Sequence, residues 1–493
     1  MNSVPDAGTA DTPRPKTSPL RVLPPEILFK ICEEVVGADG DTASLARLGR
    51  SCRGFSQIAT SVLYREIKSR VIPAQGVVLI QSIAVNNLGK NMSLLLTLCS
   101  NPTLGAAIRS MELAPASVGF HLLQTAFPMS TLRTYHAAIH QMFGVSPAQN
   151  GSFHNPVTPM ALACQAPNLV KLQLTIDTTW KDTDFLLNKN NNRVTGPKFT
   201  LHHLAELTID YNRRTHIPDK GLGLRKLNGV FHTTPNLKKL TIDRARGGTS
   251  LTARLPHLTT LKLTNTHLCP GGLHHLTRAC PNLVHFEFTH DPDTAVAVRP
   301  RHPLPVSPAQ ILTCLVKPTL QRLAIAPWLP PQQQHLTQAQ YPLLSPQQHQ
   351  LSAFTSLRQV AVDYRAIAIA RAPNDGSEFQ ALVGLFQGME QLEGVFLFGV
   401  QGSERFGKEF GVFLQRVIRT AEWPRLRVVR LQARRVGGGD VVRERGVWER
   451  LESCLENGSG SDMRLVGVGR GVVVEGVRVV ALPGWVVTGP FGE

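Results

Sequence analysis

Twelve residues in the middle of the chain contain four side chains that could bind a metal ion. They are Cys269, His274, His275 and Cys280. Zinc favours cysteine and histidine ligands, but this spacing is not that of a closed zinc finger. On a helix, two consecutive residues also point about 100° apart, so His274 and His275 would not share one face. We therefore expect a helix in this segment and no metal.

Other residues of catalytic type lack the pattern that their chemistry needs. His202 and His203 adjoin a predicted strand, and we expect them to be surface or packing residues. The three glycines at 437–439 precede Asp440 and Val441, not the Lys-Ser or Lys-Thr of a phosphate-binding loop. The sequence Gly-x-Ser-x-Gly is absent as well. The chain thus offers no residue set for catalysis, and we expect neither enzymatic activity nor a cofactor.

Length, composition and charge limit the classes of protein that fit this chain. It has 493 residues, of which 42% are hydrophobic and 18% charged, as in folded proteins. This length exceeds one ordinary core, so several units or an elongated array are expected. The formal net charge of +17 suits nucleic acid, acidic proteins or phosphorylated peptides as partners. Basic residues are not interleaved with aromatic ones, which does not favour direct binding of nucleic acid.

Cysteine spacing and hydropathy indicate the compartment. The eight cysteines are scattered without a Cys-x-x-Cys pair, which predicts reduced thiols in a cytoplasmic or nuclear protein. Residues 1–20 have no apolar stretch of signal-peptide type and predict a disordered tail. No segment approaches 18 consecutive apolar residues, so no membrane span is expected.

Three short amphipathic helices are predicted between residues 21 and 68. The sequence Leu23-Pro-Pro-Glu-Ile-Leu28 opens the first helix. Proline is tolerated in a first helical turn, and Glu26 suits the positive end of the helix dipole. Apolar residues then recur at helical spacing. So short a segment forms only a small core, and part of its apolar stripe should remain available to a partner.

This segment resembles the F-box, whose pattern is Leu-Pro-x-Glu-Ile, a Leu-x-x-Leu helix with a cysteine, and a third helix rich in aromatic residues. The matching parts are Leu45-Ala-Arg-Leu48, Ser51-Cys-Arg-Gly-Phe55 and Leu63-Tyr-Arg-Glu-Ile67, whereas residues 37–40 depart from the pattern. The resemblance implies docking on a Skp-family adaptor and, through it, on cullin and RING subunits. The predicted contact surface for the adaptor consists of Leu23, Pro24, Ile27, Leu28 and Ile31.

Nine copies of a strand pattern, Leu-x-x-Leu-x-Leu, follow at spacings of 21 to 37 residues. Numbering each copy from its first apolar residue, positions 4 and 6 should point to one face, which only stacked neighbours can bury. A degenerate tenth copy at Ile108 is expected to be a terminal cap. The nine copies begin at Leu169, Leu204, Leu237, Leu258, Leu283, Leu320, Leu357, Leu392 and Leu426.

These copies resemble a leucine-rich repeat array, and the Cys280-Pro-Asn-Leu283 unit resembles its cysteine-containing subtype. A period of about 34 residues also suits helical TPR pairs, but the strand segments alternate with a period of 2. The predicted fold class is α/β, an N-terminal three-helix F-box followed by a curved solenoid with a mainly parallel sheet. The predicted divisions are an F-box at 21–68, a helical linker at 69–107, repeats at 108–435 with loop inserts at 299–308 and 330–350, and a C-terminal cap at 436–493.

Positions 3, 5 and 7 of the copies should line the hollow of the solenoid and bind a target. Asp210 and Asp243 are expected to be neighbours there, with Lys239 and Lys262 beside them. Aromatic and arginine side chains often anchor interfaces, and the positive net charge favours an acidic or phosphorylated target. The predicted target contacts are Arg322, Phe396, Phe398 and Arg430.

The resemblance therefore implies the substrate-recognition subunit of an SCF-type ubiquitin ligase, which contributes proximity rather than bond chemistry. Two alternatives stay open at this point. One is a scaffold that uses an F-box for assembly without causing degradation. The other is a basic repeat protein associated with nucleic acid.

Overall fold

A computed structural model of the protein shows an α/β structure with a mostly parallel, open sheet. The described residues are 24–36, 42–51, 53–68, 77–113, 124–144, 157–176, 180, 182–190, 193–211, 222–247, 251–290, 306–315, 318–326, 351–363, 385–400, 425–426, 428–433, 467–468 and 471–475. Within these ranges, no helix combines the length and the apolar character needed to cross a membrane.

The described strands are mostly three to seven residues long. They are β1 (Glu66–Lys68), β2 (Ser110–Leu113), β3 (Lys171–Ile176), β4 (Leu187–Asn190), β5 (Arg193–Pro197), β6 (Glu206–Tyr211), β7 (Leu222–Gly223), β8 (Lys239–Asp243), β9 (Ala245–Gly247), β10 (Thr260–Leu268), β11 (His285–His290), β12 (Arg322–Ala326), β13 (Gln359–Asp363), β14 (Gly394–Val400), β15 (Val428–Ala433), β16 (Gly467–Val468) and β17 (Gly471–Glu475).

The described helices precede the sheet or alternate with its strands. They are α1 (Pro25–Val36), α2 (Thr42–Ser51), α3 (Arg53–Arg65), α4 (Val77–Ser100), α5 (Pro102–Ala107), α6 (Met129–Phe143), α7 (Val157–Cys164), α8 (Asn228–Thr233), α9 (Pro270–Ala279) and α10 (Pro308–Leu315).

The main sheet grows along the chain. Its order is β1-β2-β3-β6-β8-β10-β11-β12-β13-β14-β15, and each of these strands is parallel to the next. The sheet then ends with β17 and β16, which pair antiparallel. A separate antiparallel pair is formed by β4 and β5, while β7 and β9 make a short parallel strip beside the end of β10. The predicted mainly parallel sheet is confirmed.

The nine predicted copies are in register. Position 3 of each copy pairs with position 3 of the next, in the series Lys171, Glu206, Lys239, Thr260, His285, Arg322, Gln359, Gly394 and Val428. Positions 4 and 6 are buried where their side chains are described, as at Leu240 and Ile242. The predicted phase of the copies and their common buried face are thus confirmed.

Hydrogen bonds from the lead-in residues tie each copy to the preceding one. In the three copies that begin with Pro-Asn-Leu, the asparagine side chain donates to the backbone carbonyl two residues before the first apolar residue of the previous copy. The pairs are Asn168 with Ala106, Asn236 with His202 and Asn282 with Pro256, each at 2.8 Å. The repeated asparagine therefore has a physical role, because it satisfies a carbonyl that lies outside the strand ladder.

The sheet begins earlier than the sequence predicts. Strand β1 follows α3 without a break, and Ile67 is the register partner of Met111. The Leu63–Ile67 segment is therefore partly strand, and the copy at Ile108 is the second strand rather than a terminal cap. Tyr64 and Ile67 hold positions 1 and 4 and pack against the main core. Tyrosine in place of leucine concealed this copy.

Two hydrophobic cores are present among the described residues. The larger core lies on the position 4 and 6 face of the sheet and receives residues from helices α4, α6, α7, α8, α9 and α10. The smaller core lies within α1–α3 and consists of Leu28, Cys32, Leu45, Phe55 and Ala59. The segment predicted as a helical linker is part of the larger core, because α4 contributes Leu88, Met92, Leu95 and Leu98 to it.

Several predicted segments fall outside the described residues. These are residues 1–20, the insert at 330–350, residues 299–305 of the other insert, and all of 436–493 except β16 and β17. The last three residues of the 299–308 insert are not an exposed loop. Val306 and Ser307 are buried, and Pro308 begins α10.

Candidate functional site

The helical unit α1–α3 is the first candidate surface. Helix α1 starts where the Pro24 carbonyl accepts hydrogen bonds from the backbone N–H groups of residues 27 and 28. Burial in the small core raises the pKa of the Cys32 thiol. Arg65 at the end of α3 forms an ion pair with Glu33, and its guanidinium lies 5.8 Å from the centroid of the Phe29 ring. These contacts hold α3 against α1.

The predicted adaptor contacts divide between the two sides of α1. Pro24 is exposed and Ile27 is 42% exposed, whereas Ile31 is partly buried against the small core. Leu28 is only 7% exposed and belongs to the small core, so it offers little surface in the unbound chain. It lies four residues before Cys32, on the helix face that turns inward, while Ile27 lies about 100° away. Leu23 lies outside the described residues.

The second candidate surface is the sheet face formed by positions 3, 5 and 7. Its part on β2, β3, β6 and β8 is termed the open polar face, because every residue of it is exposed or half-buried. Its side chains carry charges, hydroxyls or amides and can therefore bind polar groups of a partner. The open polar face consists of Ser110, Glu112, Lys171, Gln173, Thr175, Glu206, Thr208, Asp210, Lys239, Thr241 and Asp243.

Asp210 of the open polar face has a single hydrogen-bond donor among the described residues. Gln173 Nε2 donates to Asp210 Oδ2 at 2.7 Å. Partial burial raises the pKa of Asp210, and the hydrogen bond from Gln173 opposes that shift. The single hydrogen bond does not fully replace the hydration that the carboxylate loses on burial. The carboxylate can therefore still accept a hydrogen bond from a partner.

Asp243 occupies the same position on the adjacent strand but is better satisfied. Asn265 Nδ2 and Thr264 Oγ1 donate to its Oδ1 at 2.6 and 3.1 Å, and Arg244 Nε lies 3.5 Å from its Oδ2. The predicted neighbouring positions of the two aspartates follow from the register of β6 and β8. Lys262, predicted beside them, lies on the strand next to β8 and forms an ion pair with Glu287, with 3.5 Å between Nζ and Oε2.

The same sheet face is more deeply buried from β11 to β13. His285 and Glu287 of β11 are buried, as are Ala361 and Asp363 of β13. Alanine at position 5 of β12 is buried too. Positions 3, 5 and 7 are thus open to a partner on the first strands of the sheet and inaccessible over much of these later ones.

The predicted target contacts lie at this later end of the sheet. Phe396 is half-buried and is the register partner of Ala361 and Arg430, so it shares a row with Arg430. Arg322 is half-buried and lies two strands away at position 3, so it does not share the row of Phe396 and Arg430. The expectation that positions 5 and 7 of β13 are exposed is wrong, because Ala361 and Asp363 are buried. The side chains of Phe398 and Arg430 lie outside the described residues.

His274 and His275 lie in helix α9, as predicted, and Cys269 and Cys280 flank the helix on either side. Cys269 precedes the helix, and its Sγ accepts a hydrogen bond from the Gly272 backbone at 3.4 Å. The Cys280 thiol donates to the Leu276 carbonyl at 3.2 Å. Within the part of the chain that the structure describes, no three residues of metal-binding type are placed to hold an ion.

A pH-dependent result is expected from Asp210→Asn. Because burial raises the folded-state pKa of Asp210 above its ordinary value of 3.8, the charged form destabilises the fold, and this cost appears as pH rises through the folded pKa. At pH 7 the variant should be at least as stable as the wild type, with a gain below about 1 kcal/mol because the site is half-exposed. The gain should vanish at pH 3.

Chemical denaturation at the two pH values measures this difference. Asp243→Asn is the matched control, since Arg244 and two further groups contact Asp243. The control should lose stability at pH 7. A variant at Asp210 that is clearly less stable than the wild type at pH 7 would contradict the interpretation of its environment.

No protein-family model matches the chain, and no curated protein matches it significantly. The residue patterns and the geometry of the two surfaces therefore provide the basis for assigning a function. One surface lies on a small helical unit and exposes Ile27, whereas the other is polar and lies on the sheet.

Proposed function

We propose that the protein is the substrate-recognition subunit of an SCF-type ubiquitin ligase. In this proposal α1–α3 is an F-box and the strands from β1 to β15 are the sheet of a leucine-rich repeat solenoid. The observation that carries the proposal is a small helical unit with its own core that leaves Ile27 exposed and leads directly into the parallel sheet.

The junction of the two parts supports a role in positioning. Helix α3 ends at Arg65 and β1 begins at the next residue, and the Arg65 carbonyl accepts a hydrogen bond from the Arg109 backbone at 2.9 Å. Tyr64 and Ile67 pack against the large core, while Arg65 is also bound to Glu33 of α1. A partner on the helical unit and a target on the sheet would thus be held at a defined separation. Such proximity is the contribution of a ligase adaptor that does no bond chemistry itself.

The target surface that fits the burial pattern best is the open polar face. Phe396 lies beside buried residues, whereas the open polar face has no buried member. A target bound there would lie near the β1 end of the sheet, and hence on the side of the helical unit. This assignment replaces the target contacts that the sequence predicts on the later strands.

Recovery of the Skp-family adaptor by Ile27→Glu tests the proposal. Burying an isoleucine side chain contributes ~1.5–3 kcal/mol, and a carboxylate at that place opposes an apolar contact. We expect adaptor co-purification with Ile27→Glu to fall by roughly tenfold or more. The control is Met129→Glu in the first turn of α6, because Met129 is 47% exposed and lies on no proposed surface. Equal recovery by both variants would refute docking through α1.

A second measurement separates the ligase from a scaffold. Proteins captured by the wild type are identified by proximity labelling with and without a proteasome inhibitor, and their half-lives are compared in cells that express Ile27→Glu. Lengthened half-lives are expected for a ligase. Unchanged half-lives, with adaptor binding lost, would instead support a scaffold that does not lead to degradation.

A further inference from the structure

Within the part of the chain that the structure describes, several charged side chains of the open polar face have no ionic partner. Lys171, Glu206 and Lys239 are register partners on β3, β6 and β8, and Glu112 lies at position 5 of β2. Among the described residues, none of these four makes an ion pair or a side-chain hydrogen bond. Opposite charges thus stand on adjacent strands and remain available to other groups.

On the next strands, β10 and β11, two opposite charges form an ion pair. Lys262 and Glu287 also face each other on adjacent strands, but they form an ion pair, and their side chains are only 17% and 7% exposed. Exposed ion pairs contribute little to stability, so leaving the earlier charges unpaired costs the fold little. On β10 and β11 the opposite charges thus neutralise each other. On β2, β3, β6 and β8 the charges named above can be neutralised by a partner.

The positions of these charges define what such a partner must present. The two lysines lie at position 3, at the beginnings of their strands, and Glu206 stands between them. Asp210 lies four residues further along β6, which is about 13 Å in an extended strand. On β3, β6 and β8 the residues between these two charged edges are uncharged, namely Gln173, Thr208 and Thr241, whereas Glu112 continues the same row on β2. Asp243 adds little negative charge, because Arg244 is paired with it.

Resting on the proposed function, we propose that the target binds as an extended segment of mixed charge. A lysine or arginine of the segment meets Asp210, and an aspartate or glutamate four residues away meets Lys171 or Lys239. Residues i and i+4 of an extended segment lie on the same side and are separated by about 13 Å, which matches the two charged edges.

The arrangement also specifies what the surface disfavours. Glu206 between the two lysines repels a run of acidic residues, and Gln173, Thr208 and Thr241 offer hydroxyl and amide groups to polar side chains or to the segment's backbone. A partner that carries only acidic or only basic residues would leave one edge unmatched. The chain's overall positive charge therefore does not determine the sign of its target on this face.

Peptide binding by the purified full chain tests this inference. The probes are short synthetic peptides with a serine and threonine background that carry Lys-x-x-x-Glu, Lys-x-x-x-Lys, Glu-x-x-x-Glu or no charge. At low salt the mixed-charge peptide should bind about fivefold or more tightly than each of the others, and the difference should shrink with added salt. Equal affinity for the four peptides would overturn the inference.

Variants of the chain show whether the named residues are responsible. Asp210→Asn should abolish the preference for the peptide lysine, and Lys171→Ser with Lys239→Ser should abolish the preference for the glutamate. Arg358→Gln is the control, because Arg358 is bound to Glu393 and lies outside the open polar face. A preference that survives both sets of substitutions would show that the peptides bind elsewhere.

The same preparations are assayed for adaptor recovery, so that the two proposals fail separately. Intact adaptor recovery without any peptide preference would overturn the mixed-charge inference alone. A peptide preference that responds to these variants, in a chain that recovers no adaptor, would overturn the ligase assignment and leave the peptide-binding surface in place.

Discussion

Leu240→Asp should unfold the sheet. Leu240 is fully buried at position 4 of β8, between its register partners Leu207 and Leu261. Truncating a buried leucine alone typically costs ~2–5 kcal/mol, and an unpaired buried charge adds several more. The sum falls within the ~5–15 kcal/mol by which folded domains are usually stable. We therefore expect loss of a cooperative thermal transition in circular dichroism.

The neighbouring residue provides the control for this substitution. Thr241 is half-buried on the opposite face of the same strand, so Thr241→Asp should change stability by less than about 1 kcal/mol. Both variants place the same charge in the same strand and differ only in the face. A Leu240→Asp chain with the wild-type melting temperature would contradict the assignment of positions 4 and 6 to the core.

The parallel sheet could be predicted because its determinants are local. Each copy shows the period of 2 in its own residues, and burial of positions 4 and 6 fixes the register between neighbours, since a slip by one residue would exchange the two faces. Strand β1 escaped prediction for the opposite reason. Only Tyr64 and Ile67 mark its copy, and they directly continue an amphipathic helix, so the end of that helix depends on pairing with β2.

The candidate surfaces were harder to predict, because access to a side chain depends on distant parts of the chain. Period 2 places position 5 of β13 on the polar face, yet the residue there is Ala361 and it is buried. Alanine at position 5 of both β12 and β13 is the signal that could have indicated closure, since a face open to water rarely needs two small apolar residues in a row. In the same way, the ion pair of Lys262 with Glu287 depends on side-chain geometry, which the strand pattern does not determine.

Gly229→Ala should destabilise the protein through a collision with backbone atoms. Gly229 lies in α8, and a Cβ atom added to it would lie 2.0 Å from the Thr183 carbonyl oxygen and 2.9 Å from Thr183 Oγ1. Thr183 has little freedom to move away. Its backbone N–H and its hydroxyl both donate to the Lys226 carbonyl, at 3.1 and 2.8 Å, and its hydroxyl accepts from the backbone of Val230.

The expected change in stability for Gly229→Ala combines a gain in helix propensity with a loss from overpacking. Alanine gains ~1 kcal/mol over glycine in a helix, but overpacking against fixed backbone costs ~1–3 kcal/mol or more, and the Thr183 hydrogen bonds would be strained as well. We expect a net loss of about 2 kcal/mol in the free energy of unfolding by urea.

Gly223→Ala is the control, because nothing lies within 4 Å of its Cβ position and its φ of −68° suits any residue. That variant should be neutral or slightly stabilised, since alanine restricts the unfolded chain. Equal stability of the two variants would mean that α8 is not packed against Thr183 as described.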